Sequence, residues 1–297
     1  MTAAIEASYK ARDVESWIDL YFYRPIGFQL ARGFAALGFT PSMVSLLGAF
    51  LGVLAGHLYF YRDLRLNVFG MALHVLTNAL DNADGQLARL TNRGSLQGAI
   101  VDGFADYLVF ASVYLHLCLR YVAEGGTSAI WILGAAAALS HAVQSMMIDY
   151  FRNGYLQFVA GRRSLDLNSS EHVAAEYARV SWRAFGKKLG LRNYLRYTSQ
   201  QEKIAPGLLR LLRATAGVVP AGFGEAYRRL CQPLIKYCNG LATNARMLVL
   251  FTLILLGHSV WYFWWELTIL NALLFYVFHR HNTAFRALSR AAQVSRL

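Results

Sequence analysis

Four aspartates, Asp81, Asp84, Asp102 and Asp106, fall within one short stretch, DNADGQLARLTNRGSLQGAIVDGFAD, of a chain that is only 15% charged. Long apolar runs flank it on both sides. Acidic side chains at the border of such runs are expensive to keep, which makes them functional-site candidates by default. Asp81 and Asp84 are three residues apart, and Asp102 and Asp106 four apart. On helices, both spacings put the two carboxylates on one face. Two helices can then turn their pairs toward each other. Four facing carboxylates repel and take up protons unless cations neutralise them. A set of oxygen donors selects hard divalent cations, Mg²⁺ or Mn²⁺, over zinc. Two such ions about 3.5–4 Å apart form a clamp suited to phosphoryl-type displacement.

The residues between the pairs suit the same chemistry. Gly85 follows Asp84, Ala88 lies one turn beyond Asp84, and Gly98 one turn before Asp102. Their lack of bulk lets a flat base or a phosphate approach the backbone. Arg89 supplies a planar cation matched to phosphate oxygens.

With these residues in place, the stretch resembles the signature of the CDP-alcohol phosphotransferase family, D-x2-D-G-x2-A-R-x8-G-x3-D-x3-D, at all its fixed positions: Asp81, Asp84, Gly85, Ala88, Arg89, Gly98, Asp102 and Asp106. At about 1 in 20 per position, chance gives such a match with odds of about 10⁻¹⁰. The resemblance implies that the four aspartates ligate two divalent cations and that Asp106 is also the catalytic base for an incoming hydroxyl. It implies a nucleotide site made of Asp81, Gly85, Ala88, Arg89 and Gly98. The reaction it implies is attack of an alcohol on the alcohol-linked phosphorus of a CDP-alcohol, with CMP leaving, in a homodimer. Two versions fit. CDP-diacylglycerol gives a phosphatidyl group to a polar alcohol such as inositol phosphate, glycerol phosphate or serine, or a CDP-headgroup donates to diacylglycerol or a related lipid. Arg93, Arg152 and the basic segment described below favour the first, because they can attract an anionic acceptor. His141 and Gln144 are further acceptor-binding candidates. Two other classes compete. A transporter or scaffold would use the aspartates as an ion site, but an ion relay spreads its acids through the membrane depth. A metal-dependent phosphohydrolase would need only water.

The elements that position these residues are membrane helices. The 297-residue chain is 56% hydrophobic, with mean hydropathy +0.32. That is high for a soluble protein and moderate for a membrane protein, so the expectation is an all-α polytopic membrane protein with a sizeable polar portion. A net charge of +12 reads as basic loops facing anionic lipid, and no zinc-finger or RNA-binding signature points to nucleic acid. Three cysteines, Cys118, Cys231 and Cys238, make no disulfide framework. The polar N-terminus lacks the apolar core of a cleaved signal peptide.

Residues 1–39 form an interfacial segment whose aromatics and arginines suit an amphipathic helix at the headgroups, broken near Pro25. Residues 40–151 hold four transmembrane helices. Thr40 and Pro41 open the first, Met43–Tyr61, along which Gly48, Gly52 and Gly56 make a face for close helix contact. Leu66–Leu80 is the second, continuing as one helix through Arg89. Asn78 either lines the site or packs within the bundle, and His74 packs. A turn over Thr91–Gln97 leads to the third span, Ala99–Tyr121, so both aspartate pairs lie near one short loop at one membrane face. The fourth is Thr127–Ile148, with Ser140, His141, Gln144 and Ser145 near its end. Residues 152–246 hold 16 of the 29 Lys and Arg and read as a basic, mostly helical cytosolic insert. Residues 247–281 give a fifth span, Met247–Phe263, and a sixth, Glu266–Phe278, with an aromatic belt at Trp261–Trp265. Residues 282–297 are a basic tail. Six spans put the termini, the 90–97 loop and the insert on one side. The positive-inside rule makes that side cytoplasmic, with the protein in the inner membrane.

Overall fold

The computed structural model describes residues 12–161, 169–215 and 222–294. The Arg162-Arg163 pair, Gly217, Pro220, Arg296 and residues 1–11 lie outside the described residues. Among the described residues the chain is helix and turn, with no strand. The helices are α1 Arg24–Ala36, α2 Pro41–Leu58, α3 Leu64–Leu90, α4 Leu96–Ala123, α5 Ile130–Ala160, α6 Ser170–Arg179, α7 Phe185–Ile204, α8 Pro206–Ala214, α9 Phe223–Gly240, α10 Thr243–Leu255, α11 Trp261–Trp265 and α12 Asn271–Val294. They divide into two compact units, residues 1–142 with 243–270 and residues 143–242 with 271–297.

The first unit is built on α2, α3 and α4. Each starts on a side-chain cap that satisfies backbone N–H groups left over in the first turn. Thr40 Oγ1 accepts from Met43 N at 3.3 Å, Asp63 Oδ1 from Arg65 N at 2.7 Å and Ser95 Oγ from Gly98 N at 3.0 Å. The turn between α3 and α4 is a helix stop in which Arg93 N donates to Ala88 O and Asn92 N to Arg89 O. That pattern requires a left-handed residue, and Asn92 takes it at φ 53°. Glycines set how closely the helices pack. A Cβ on Gly52 would sit 2.5 Å from Val109 Cγ2, and one on Gly56 would sit 2.9 Å from the Ser112 carbonyl carbon. The α2 backbone therefore lies directly against α4, as the small-residue spacing implied. Near the ends of α2 and α4 remote from Asp84, Arg120 donates to Tyr59 O and Asn67 Oδ1. A core of Tyr59, Leu117, Ala137, Leu250 and Phe263 adds α5 and α10 to the unit.

The N-terminal segment differs from expectation at Pro25. A π-turn over Asp19–Tyr23 runs straight into α1, and Pro25 stands in that helix's first turn. The fixed φ of proline suits the first turn of a helix. One face of α1 packs on α3. Gly27 is so close that a Cβ would lie 2.7 Å from Gln86 Oε1, and Gln86 Nε2 donates to Arg24 O at 3.1 Å. Trp17, Tyr21 and Phe22 remain exposed, as an interfacial segment requires.

Among the described residues, four stretches are long and apolar enough to cross a membrane: Pro41–Leu58, Leu96–Ala123, Ile130–Ala160 and Phe223–Leu255. Six were expected, and two features reduce the number. Along α3 the buried residues include Asn67, His74, Thr77 and Asn78, so this helix is too polar to count among them. Beyond α10, the expected fifth span is cut at Gly257. Its φ of 73° lets His258 N bond back to Leu253 O at 2.8 Å and stop the helix. The expected sixth span is not a separate element either. Glu266–Leu270 forms a π-turn that leads into α12, which continues past Phe278 through the basic tail.

The second unit has an aromatic core. Phe151 stacks on His281 with centroids 4.1 Å apart, and Tyr227 on Phe285 at 6.3 Å. Leu208 and Leu211 of the short amphipathic α8 are fully buried. Cys231 and Cys238 here, and Cys118 in the first unit, are buried free thiols.

Candidate metal and catalytic site

The site lies at one end of the α2–α3–α4 cluster. Asp81 and Asp84 stand in the last three turns of α3, Asp102 and Asp106 in the first three of α4. Because the α3–α4 turn is tight, the two pairs meet across the hairpin. The four carboxylates line one open cleft, with Ser45, Gly48 and Ala49 of α2, Thr77 of α3, and Ala105 and Val109 of α4. Carboxylate oxygens of Asp81, Asp102 and Asp106 lie within 4.8 Å of one another. A cation with bonds of 2.0–2.1 Å joins oxygens up to about 4.2 Å apart, so closure by a fraction of an ångström puts all three on one ion. Asp84 is the deep member, only 5% exposed. Its Oδ2 accepts from Ser45 Oγ at 2.5 Å. Asp106 is exposed. An all-carboxylate donor set suits a hard divalent cation and offers nothing to a soft one.

The other expected residues are distributed as follows. Gly85, Ala88 and Arg89 continue α3 beyond the cleft. The Arg89 guanidinium lies over Gly85, where a Cβ would be 3.5 Å from Nη2. Gly98 donates its N–H to the Ser95 cap, one turn before Asp102. Arg93 is exposed in the turn. His141 sits in a different cluster of the first unit, with Nδ1 3.0 Å from Tyr114 Oη and its ring stacked on Phe110 at 4.4 Å. Glu266 Oε1 is 3.6 Å from His141 Nδ1, and Glu266 also pairs with Arg246. Gln144 and Arg152 belong to the second unit. There Gln144 Nε2 donates to Asn271 Oδ1 at 2.8 Å, and Arg152 Nη2 to Asn239 Oδ1 at 2.5 Å. Asn78 packs within the bundle, donating to Asn244 Oδ1 at 2.9 Å, and His74 bonds Tyr59 Oη at 3.2 Å.

Sequence reasoning missed Ser45. The signal was present, a hydroxyl one turn inside a largely apolar helix, but its partner is 39 residues away. It also missed Gly48 as a cleft residue. Gly48 removes bulk beside the carboxylates as well as letting helices approach.

Residues 39–159 match the family model described as CDP-alcohol phosphatidyltransferase. No curated protein sequence matches the chain. The matched segment begins just before α2, ends within the last turn of α5 and contains all four aspartates of the cleft. Its helices α2, α4 and α5 are apolar enough to cross a membrane, and Asp81, Asp102 and Asp106 lie close enough together to hold a metal ion. The segment that carries the cleft is therefore similar to the CDP-alcohol phosphatidyltransferase family, transferases that move a substituted phosphate group from a CDP-alcohol to an alcohol acceptor.

Proposed function

We propose that the protein transfers a phosphatidyl group from CDP-diacylglycerol to a polar alcohol, releasing CMP, with two Mg²⁺ or Mn²⁺ ions held by Asp81, Asp84, Asp102 and Asp106. The observation that carries this reading is the convergence of all four carboxylates on one open cleft. The ions would neutralise charge on the diphosphate and on the departing CMP. The chain's own residues supply the rest. Ser45 fixes Asp84 at the bottom of the cleft, so the deepest ligand needs no reorientation. Asp106 is the residue best placed to accept the proton of an incoming hydroxyl, because it is exposed and an acceptor could come within about 2.6–3.2 Å of it. Gly85 and Ala88 leave room beside Arg89 for a cytidine nucleotide, and Gly98 does the same from α4. Arg93, exposed in the turn, is a cation for an anionic acceptor, with His141, Gln144 and Arg152 as further acceptor candidates. The basic segment and tail favour a cytoplasm-facing site in the inner membrane, and family resemblance favours a homodimer.

The test is to incubate the purified protein with labelled CDP-diacylglycerol and a panel of alcohols, among them glycerol phosphate, inositol phosphate and serine. One alcohol should yield a new phospholipid with an equal amount of CMP. CMP release at the same rate without any alcohol would indicate a hydrolase. Labelled CDP-headgroup consumed with diacylglycerol would place the lipid on the acceptor side.

A further inference from the structure

We infer that the outer face of α7, in the second unit, is a docking surface for anionic lipid headgroups. From Val180 to Gln201 the chain has five Lys and Arg and no Asp or Glu. Helical spacing sorts these residues. Lys188, Leu191, Thr198 and Gln201 are buried, and Gln201 Nε2 donates to Met146 O at 3.0 Å, which fixes the inward side. Phe185, Leu189, Arg192 and Arg196 recur at three- and four-residue steps and form one opposite stripe. Trp182 extends that stripe from the turn before the helix. The apolar end is open, with Trp182 54% and Phe185 63% exposed.

The cations are equally available. Arg183, Lys187, Arg192 and Arg196 are all exposed, and among the described residues none of them forms an ion pair. Lys188 is used differently. Its ammonium donates to Tyr177 O and Val180 O at 2.6 and 2.7 Å and lies 3.9 Å from the centre of the Tyr177 ring. It thereby holds the α6–α7 corner, so that Trp182 and Phe185 project as a fixed pair with centroids 6.3 Å apart. A rigid aromatic tip beside unpaired arginines matches a membrane interface, where aromatic rings sit at headgroup level and cations meet anionic phosphate. A protein partner would have to supply a run of acids to cover the same face.

The test uses the full chain in nanodiscs and reads position, not activity. Gly186→Cys offers a label site on this face, because a Cβ there meets nothing within 4 Å and the three native cysteines are buried. An environment-sensitive dye at that position should shift to shorter wavelength, and be quenched by brominated lipid, in discs containing phosphatidylglycerol. The shift should fade at high salt and in discs of phosphatidylcholine alone. Arg192→Gln with Arg196→Gln should weaken docking about thirtyfold. Trp182→Ala with Phe185→Ala should abolish the quenching. The same emission in both lipid compositions would overturn the inference. So would a shift that follows the number of protein copies per disc, which would give the face to a second chain.

Discussion

Ser45 Oγ donates to Asp84, the buried carboxylate of the cleft, and makes the most specific residue-scale prediction. Ser45→Ala leaves Asp84 buried without that donor. Loss of a group that orients a metal ligand costs about 10–100-fold in metal affinity. The Mg²⁺ concentration giving half-maximal CMP release should rise by that factor, while saturating metal restores most of the rate. A merely structural serine would lower the rate at every metal concentration. Asp106→Asn keeps the shape of the cleft but removes the proton acceptor, so CMP release should fall about 10²–10⁴-fold. The aspartates were legible from the sequence because a helix fixes which residues share a face within a turn or two. Ser45 was not, because the contact depends on how α2 packs on α3, which no local spacing encodes. Asn78 shows the same limit. Its helix face left a site role open, and only the position of Asn244 on α10 decides that it packs.

At the level of helices, the site depends on α4 lying close to α2, and glycines permit that closeness. Gly56→Ala pushes against the Ser112 backbone, which cannot rotate away, whereas Gly52→Ala meets the Val109 side chain. Overpacking of this kind costs about 1–3 kcal/mol. Gly56→Ala should be the worse of the two in thermal unfolding, with activity falling in parallel because Asp102 and Asp106 ride on α4. Gly33→Ala is the control. A Cβ there meets nothing within 4 Å, and removing a helix-interior glycine should stabilise by about 0.5–1 kcal/mol. A second element-scale test concerns Arg246 of α10 and Glu266 of the π-turn, paired while almost fully buried. Arg246→Met leaves Glu266 uncompensated and should cost about 3–5 kcal/mol, much of it recovered by adding Glu266→Leu. Helix starts and stops were legible through Thr40, Pro41 and the Asn92 turn. The spans beyond residue 240 were not. A sliding count of apolar residues runs through Gly257 as if it were helix, and it gives Glu266 no partner.

At the scale of the whole molecule, the proposed transferase site lies in the first unit and should depend on a divalent metal. Chelation with EDTA should stop CMP release. Mg²⁺ or Mn²⁺ should restore it, and Zn²⁺ should not, because the ionisable groups lining the cleft are all carboxylates, with no thiolate or imidazole to prefer it. The all-α membrane class was legible because composition alone requires it. The division into two units was not, because it depends on which helix ends pack together across long separations in sequence. The most direct test counts ions. Titrating purified protein with Mn²⁺ under electron paramagnetic resonance should show a pair of bound ions whose signals are spin-coupled. Asp102→Asn should abolish the coupling together with CMP release. A single uncoupled ion, or coupling that survives the loss of Asp102, would contradict a cleft built from four carboxylates around two metals.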